Sequence, residues 1–327
     1  MNAPAAAPLT TVATVPAPSR NRMLIATTLM VVALAIAPFA GVYPVFLMKA
    51  LCFALFACAF NLLLGFGGLL SFGHAMFLGS AGYVCAYAAK VWGWPPEVAI
   101  LAGTVVATLL GIVVGLLAIR RQGIYFAMIT LAIAQMIYFF CLQSPLTGGE
   151  DGIQSVPRGK LFGFIDLANT TTMYFVVLAI FVGAFLLIYR IVHSPFGQVL
   201  KAIRENEPRA ISLGYDADKY KLIAFVLSAG LSGLAGSTKA IVFQLASLTD
   251  VHWSMSGEVV LMVLLGGMGT IFGPVVGAFT IIGLESYLAS FGQWVTVITG
   301  AIFVICVLAF RRGIVGELDA WWSKRRS

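Results

Sequence analysis

Long apolar runs separated by short polar interruptions most limit what this chain can fold into. A helix that crosses the hydrocarbon core of a bilayer needs roughly 20 consecutive apolar residues, and the sequence holds about ten runs of that kind. They are residues 23–40, 45–64, 69–89, 97–119, 123–141, 173–192, 220–245, 257–271, 274–290 and 294–310. Charged residues make up 10% of the 327 residues, whereas a soluble domain carries about 25%. The sequence therefore predicts a membrane protein.

The predicted fold class is all-α and polytopic. Run 257–271 is short and broken by glycine, so we expect about eight to ten transmembrane or half-membrane helices in all. The transmembrane domain is predicted to cover residues 23–310. Residues 1–22 are rich in Ala, Pro and Thr, which predicts a disordered tail, and residues 311–327 form a basic tail.

The positions of the cations predict how the chain crosses the membrane. Most of the 20 Lys and Arg residues fall in four groups: Arg20 and Arg22, Arg120 and Arg121, residues 190–221, and residues 311–326. Basic segments are retained in the cytoplasm, and one alternating path places all four groups there. Both termini are then cytoplasmic, and loops 142–172 and 246–256 lie outside. The net charge of +7 follows from this topology, so no nucleic-acid binding is expected.

Two glycine-rich stretches interrupt the apolar runs. Both contain Leu-Leu-Gly followed by Phe-Gly, at 63–65 with 72–73 and at 264–266 with 272–273, an echo that suggests an internal duplication. Small residues allow helices to approach closely, and clustered glycines also mark helix breaks that line a cavity. We therefore interpret regions 65–82 and 266–277 as candidates for a translocation pathway.

The charged loop 193–219 carries a series of helix signals. In chain order these are Ser194 as a cap, Pro195 in the first turn, Val199, Leu200 and Ile203 at helical spacing, a junction at Glu207-Pro208, a stop at Gly214, and Asp216 as the next cap. Caps, first-turn prolines and terminal glycines of this kind bound short helices. The loop is predicted to form two short cytoplasmic helices that dock a soluble partner; the alternative is a solvated loop held by its own ion pairs.

Several blocks of this sequence resemble, in order, the permeases of branched-chain amino acid ABC importers of the LivM kind. The blocks are SFGHAMFLGSAGY (71–83), GIYFAMITLA (123–132), LTGGEDGI (146–153), SPFGQVLKAIRENEPRAISLGYDADKYKLIAFVLSAGLSGLAG (194–236), VVLMVLLGGMGTIFGPVVGA (259–278) and FRRGIVG (310–316). The resemblance covers residues 23–318. It implies that the domain 23–310 is a permease in the inner membrane of a bacterium.

The same resemblance implies a set of partners. These are a LivH-like permease, two ATPase subunits of the LivG/LivF kind, and a periplasmic amino-acid-binding protein, in addition to the lipid bilayer. It also implies that loop 193–219 couples to an ATPase, through Arg204, Glu205, Asn206, Glu207, Arg209, Ala210 and Gly214. Ala210 and Gly214 have the spacing of the family's coupling pattern, but Glu207 stands one residue early and Pro208 holds the acidic position.

No enzymatic activity is expected from this chain. It has no GxxxxGK[ST] loop to cradle a nucleotide phosphate, because GGEDGIQS and GSTKA lack the Gly-Lys-Ser/Thr ending. We therefore expect no cofactor on this chain, and ATP with magnesium on the partner subunits. No metal-ligand spacing occurs among its Cys, His, Asp and Glu residues.

Polar residues inside apolar runs are the candidates for lining a pathway, since such groups are costly in a membrane. The set is Asn61, Ser71, His74, Thr130, Gln135 and Gln244; interhelical hydrogen bonding is the alternative role. An ion pair between Lys239 and Glu258 is expected to be structural. Glu285 lies well inside a run and has no evident partner.

The function predicted from these observations is the membrane subunit of an ABC importer for branched-chain or other hydrophobic amino acids. Apolar walls suit a neutral or zwitterionic solute with an apolar side chain. A related importer for urea or short amides shares much of the signature and remains an alternative. An ion-coupled secondary transporter or channel is the alternative of a different class, for which paired charges in mid-membrane would be expected.

Overall fold

The computed structural model describes residues 20–121, 123–289, 297–298, 300–301, 304 and 313–317. Residues 20–41 form one compact unit, and the described residues from 42 onward form a second. The first unit contains helix α1 (Arg20–Ile36). Most of the predicted tails 1–22 and 311–327, and most of the run 294–310, lie outside the described residues.

The second unit is built almost entirely of helices. They are α2 (Pro44–Asn61), α3 (His74–Lys90), α4 (Pro96–Ala118), α5 (Ile124–Gln143), α6 (Thr170–His193), α7 (Pro195–Glu205), α8 (Glu207–Ser212), α9 (Ala217–Phe243), α10 (Trp253–Gly266) and α11 (Gly273–Leu288). Helix α2 continues into a π-helical turn, Leu62–Phe66. Each predicted run except 294–310 coincides with one of the helices, which confirms an all-α polytopic fold.

Within the described residues, five helical stretches are long and apolar enough to cross a membrane by themselves. They are Pro44–Phe66, Pro96–Ala118, Ile124–Gln143, Thr170–His193 and Ala217–Phe243. Helix α10 has 14 residues, which at 1.5 Å per residue reaches about 21 Å, short of a hydrocarbon core of about 30 Å. This agrees with the prediction of a short element there, although the helix begins at Trp253 rather than at residue 257.

Helices α3, α4 and α9 pack together through small residues. On α4, Gly103, Ala107, Gly111 and Gly115 repeat every four residues, so they form one stripe that faces α9 and α3. A Cβ on Gly111 would lie 2.6 Å from the Cβ of Ala229. Because glycine has no side chain, the helix backbones approach each other closely. The resulting dispersion contacts hold the helices together in lipid, where the hydrophobic effect does not drive their association.

The opposite face of α4 is exposed. Leu101, Val105, Leu109, Val113 and Leu117 all lie on it, and apolar residues of this kind are what lipid chains accept. Helix α2, by contrast, is buried on nearly all sides and packs against α6, α9, α10 and α11. The bundle therefore has α2 at its centre and α4 at its periphery.

Short β pairings collect the loops that are predicted to lie outside. Strand β1 (Ile153–Gln154) pairs antiparallel with β4 (Leu245–Ala246), and β2 (Lys160–Leu161) pairs with β3 (Ile165–Asp166). Lys90 Nζ donates to the Gln154 carbonyl at 2.8 Å. The ends of α3 and α9 and loop 142–172 thus meet on one side, as the alternating path requires.

Replacing Gly236 by Val is expected to destabilise the bundle by at least about 1–3 kcal/mol, the cost of overpacking a well-filled interior. A Cβ at Gly236 of α9 would overlap the carbonyl oxygen of Leu78 on α3, whereas a Cβ at Gly183 of α6 would meet nothing within 4 Å. The check is the thermal unfolding midpoint in detergent, with Gly183→Val as the matched control. Equal midpoints for the two variants would contradict the packing described above.

Candidate functional site

The loop 193–219 folds into α7 and α8, and each helix begins at a side-chain cap. Ser194 Oγ accepts from the Gly197 amide at 3.4 Å, with Pro195 in the first turn, as predicted. The cap of α8 is Asn206, whose Oδ1 accepts from the Arg209 amide at 3.1 Å. The predicted junction at Glu207-Pro208 is therefore shifted by one residue.

The loop ends where the sequence predicts. Gly214 has a φ of 90°, a conformation open to glycine, and it follows the last turn of α8. Asp216 then caps α9, accepting from the Lys219 amide at 3.2 Å. Hydrogen bonds from the Lys219 side chain and amide lower the pKa of Asp216.

A small apolar cluster holds the two loop helices against the start of α9. Ile203 of α7, Ala210 of α8 and Ala217 of α9 are buried together. The rings of Phe196 and Tyr220 stack beside them, with centroids 5.5 Å apart. Loop 193–219 is therefore a packed unit, which argues against the alternative of a solvated loop.

An ion pair adds to this packing. Lys221 Nζ of α9 lies 2.6 Å from Glu207 Oε1 of α8, and the two side chains are 5% and 22% exposed. A buried pair of this kind stabilises little overall, but loss of one partner leaves the other charge buried and uncompensated. The pair therefore fixes α8 to the end of a long apolar helix.

The other side of α7 contacts the end of α2. Arg204 Nη1 donates to the carbonyl oxygen of Gly65, inside the π-helical turn. The ammonium of Lys201 lies over the Phe66 ring, 5.4 Å from its centroid, and burial lowers the Lys201 pKa. Single π-turns within α-helices are frequent at functional sites, and here the turn presents a carbonyl to a side chain of the loop.

The two glycine-rich breaks meet at this place. Asn61 of α2 accepts from the Gly269 amide at 3.0 Å and donates to the Thr270 carbonyl at 2.8 Å. Gly269 lies between α10 and α11, so one buried amide bridges the break after α2 to the break before α11. We call Asn61, Gly65, Arg204, Gly269 and Thr270 the inner junction.

Close backbone approach at the inner junction requires glycine. A Cβ on Gly65 would lie 2.7 Å from the Gly269 amide nitrogen, closer than carbon and nitrogen atoms pack. Gly313, within the FRRGIVG block, has a φ of 72° and also lies against this break, next to the backbone of Gly267.

The end of α8 and the turn after it carry exposed apolar residues that the sequence reasoning missed. Ile211, Leu213 and Tyr215 are 55%, 70% and 40% exposed. The sequence does contain a pattern that could have revealed them, because apolar residues occupy every second position within this charged stretch. The predicted helices of the loop do not account for that alternation. Exposed apolar residues in a polar, charged loop are typical of a surface that binds another protein.

The structure gives the predicted coupling residues different positions, and Gly214 is the exposed stop after α8. Glu205 and Arg209 are exposed on the surface of the loop. Asn206, Glu207 and Ala210 hold the loop together as cap, ion-pair partner and core residue, while Arg204 reaches inward to the inner junction. Their part in coupling stays a prediction.

The predicted pathway residues lie at three levels of the bundle. Asn61 belongs to the inner junction. Ser71, His74 and Thr130 are fully buried, Gln135 is half-buried on α5, and Gln244 is exposed at the outer end of α9, where it donates to the Val156 carbonyl at 3.2 Å.

His74 sits in an aromatic pocket of Phe60, Phe77 and Phe225. Its Nε2 lies 2.9 Å from Ser228 Oγ, and that hydroxyl donates to the Ala59 carbonyl at 2.6 Å. Because a hydroxyl has one proton to donate, His74 must donate from Nε2. This geometry gives His74 a place in interhelical hydrogen bonding.

Two expectations about intramembrane charges were wrong. Lys239 pairs with Asp250, not with Glu258. Glu285 does have a partner, since Lys49 Nζ lies 3.4 Å from its Oε2. Lys49 stands 236 residues away in sequence and was not considered.

Membrane-length helices around a buried central helix, with a folded surface loop bonded to one end of that helix, define an α-helical polytopic membrane protein. Comparison with known families agrees. Residues 42–308 match the model described as branched-chain amino acid transport system / permease component, so the chain belongs to this family.

Similar curated proteins carry the corresponding names. The high-affinity branched-chain amino acid transport system permease protein LivM of Salmonella typhimurium is 27% identical over 284 residues, covering 78% of this chain and 65% of the relative. LivM of Escherichia coli is 25% identical over 279 residues, with the same coverage. The chain therefore spans about two thirds of the length of these two relatives.

A probable branched-chain amino acid transport permease protein LivH of Methanocaldococcus jannaschii is 30% identical over 161 residues, covering 46% of this chain and 47% of the relative. No solved structure was found to match the chain.

Replacing Glu207 by Gln is expected to loosen the loop, because the Lys221 ammonium would remain buried without its counter-ion. Removing one partner of a buried pair costs up to about 3–5 kcal/mol. The measurement is the rate of tryptic cleavage within 193–219. Asp216→Asn is the control, since it weakens an exposed pair with Lys219 and keeps a capping side chain; similar cleavage rates for both variants would contradict a structural role for the buried pair.

Proposed function

We propose that this chain is the permease subunit of an ABC importer for branched-chain or other hydrophobic amino acids in a bacterial inner membrane. A second, LivH-like permease completes the pathway. Two ATPase subunits of the LivG/LivF kind dock from the cytoplasm, and a periplasmic amino-acid-binding protein delivers the solute. Family membership and the names of the LivM and LivH relatives support this proposal.

The observation that carries the proposal is the two-sided structure of loop 193–219. Its outward side offers Ile211, Leu213 and Tyr215 to a partner. Its inward side is bonded through Arg204 to the break that ends α2. A loop of this kind converts movement of a soluble partner into movement of transmembrane helix ends.

The coupling then runs through named contacts. The ATPase binds the outward side, and the packed cluster of Ile203, Ala210 and Ala217 makes α7 and α8 move as one body. Arg204 passes that displacement to Gly65, and Asn61 passes it on to Gly269 and Thr270 between α10 and α11. The inner ends of α2, α10 and α11 shift together, which opens or closes the cytoplasmic end of the pathway. ATP chemistry is supplied by the partner subunits.

Ion-coupled transport by this chain alone is less well supported. Two ion pairs of the described residues lie near the outer helix ends, Lys49 with Glu285 and Lys239 with Asp250. Both are within about two helical turns of those ends rather than in mid-membrane. An ion-coupled carrier would be expected to place paired charges in mid-membrane.

The proposed function predicts ATP-dependent uptake of L-leucine when this chain is co-reconstituted in liposomes with its partner permease, ATPases and binding protein. Omission of this chain is expected to abolish uptake. Urea and acetamide, presented with the same binding protein, are the control solutes. Transport of L-leucine by this chain alone, without ATP, would refute the importer proposal in favour of an ion-coupled carrier or channel.

Substitutions of two arginines in the loop are expected to affect ATPase retention and solute uptake differently. Arg204→Gln removes the bond to Gly65 but leaves the outward side intact, so the ATPase should remain bound while uptake falls by about tenfold or more, the equivalent of roughly one charge-assisted hydrogen bond.

Arg209→Gln changes the exposed side of the loop, so it should weaken ATPase retention in a pull-down. Uptake should fall only in proportion to the fraction of ATPase that is lost. Loss of ATPase retention in Arg204→Gln with normal retention in Arg209→Gln would reverse the assignment of the two sides.

A further inference from the structure

Five ionisable side chains converge at the helix ends opposite to the inner junction. They are Lys49 of α2, Lys239 of α9, Asp250 in the turn before α10, Glu258 of α10 and Glu285 of α11. Each lies within about two turns of the outer end of its helix or in the adjoining turn. We call this set the outer charge cluster. It shares α2, α10 and α11 with the inner junction.

The two lysines of the cluster lie over a single aromatic ring. Their ammonium groups are 5.9 Å (Lys49) and 5.2 Å (Lys239) from the centroid of the Phe53 ring. Lys49 also pairs with Glu285 and Lys239 with Asp250. Each ammonium is therefore held by a carboxylate on one side and by an aromatic face on the other.

Glu258 is the odd member of the cluster. Among the described residues it has no ion pair or hydrogen bond, yet it interacts electrostatically with all four other members. Two ammonium groups thus face three carboxylates, and the two pairs already formed leave Glu258 without a counter-ion. The side chain is half-buried, so a small solute has access to it.

The partial exposure of the cluster indicates water rather than lipid. The side chains of Lys49 and Glu285 are 35% and 26% exposed. Ionised groups at membrane depth face a water-filled cavity or a protein partner, because hydrocarbon does not solvate them. The partial exposure of the cluster fits the outer part of an aqueous route that this chain would share with a partner permease, at the opposite ends of α2, α10 and α11 from the inner junction.

We propose that Glu258 receives the ammonium group of the solute as it enters the outer part of the pathway. The solute class is an organic molecule with a primary ammonium, as every α-amino acid has. The carboxylate of Glu258 accepts hydrogen bonds from that ammonium and gains the counter-ion it lacks. The proposal rests on the proposed function and names the part of the solute that this chain recognises.

The first test measures uptake of L-leucine by the complete transporter carrying Glu258→Gln. Gln keeps the shape but not the charge, so we expect the maximal rate of uptake to fall by about tenfold, with normal assembly. Glu258→Asp, which keeps the carboxylate, should retain more activity than Glu258→Gln. Glu150→Gln, on the exposed outer loop, is the control and should behave like the wild type.

The second test detects solute binding without turnover. Met255→Cys places a thiol one turn before Glu258 on the same side of α10. In the assembled transporter without ATP, saturating L-leucine should slow its modification by a membrane-impermeant thiol reagent several-fold. The deaminated analogue 2-hydroxy-4-methylpentanoate should not protect, and no protection is expected when Glu258→Gln is added.

Two outcomes would overturn the proposal: wild-type uptake by Glu258→Gln, which would mean that the carboxyl acts as a neutral group, or equal protection by L-leucine and its deaminated analogue. Should Glu258→Gln fail to assemble, the labelling of Met255→Cys in the presence of native Glu258 decides alone. Absence of ATP-dependent uptake by the wild-type complex would instead defeat the proposed function.

Discussion

Every backbone polar group that leaves a helix inside the membrane must find a partner within the protein, and the rest of this structure depends on how that requirement is met at two breaks. Lipid offers neither donors nor acceptors. Side chains supply these hydrogen bonds at the break after α2 and at the break between α10 and α11. Asn61 bonds to the Gly269 amide and the Thr270 carbonyl of the second break, and Arg204 bonds to the Gly65 carbonyl of the first. The non-helical backbone of these breaks keeps its hydrogen bonds only while the two segments are in contact, so the fold requires that contact.

That requirement explains why loop 193–219 is bonded to the end of α2. Arg204 belongs to a loop that connects two membrane-length helices, yet its guanidinium completes the hydrogen bonding of a third helix, α2. Displacement of the loop without displacement of α2 would leave the Gly65 carbonyl unpaired, which costs roughly 1–3 kcal/mol for a buried group. The loop and the helix end are expected to move together, because separating them costs the hydrogen bond to the Gly65 carbonyl.

The fold was largely predictable because its main signals are local. Apolar runs, basic groups, Ser194 and Asp216 as caps, and Gly214 as a stop can all be read within a few residues of sequence. Asn206 was missed because two polar residues precede Pro208, and only the backbone conformation decides which of them caps α8. The inner junction and the Lys49–Glu285 pair of the outer charge cluster were not predictable, since their contacts join residues 139 (Arg204 to Gly65), 209 (Asn61 to Thr270) and 236 (Lys49 to Glu285) positions apart. Sequence revealed the resemblance between the two glycine-rich breaks, but not that they face each other.

The bond between Arg204 and the Gly65 carbonyl has a genetic consequence. One partner is a side chain, which a single codon change can alter, and the other is a main-chain oxygen, which every residue at that position would still carry. A pair of this kind cannot drift by reciprocal substitution as two side chains do. Second-site suppressors of an altered Arg204 should therefore arise where they reshape the turn that presents the oxygen, and not as a complementary exchange at position 65. Gly68 is one such position, because a Cβ there would lie 2.9 Å from Arg204 Cγ.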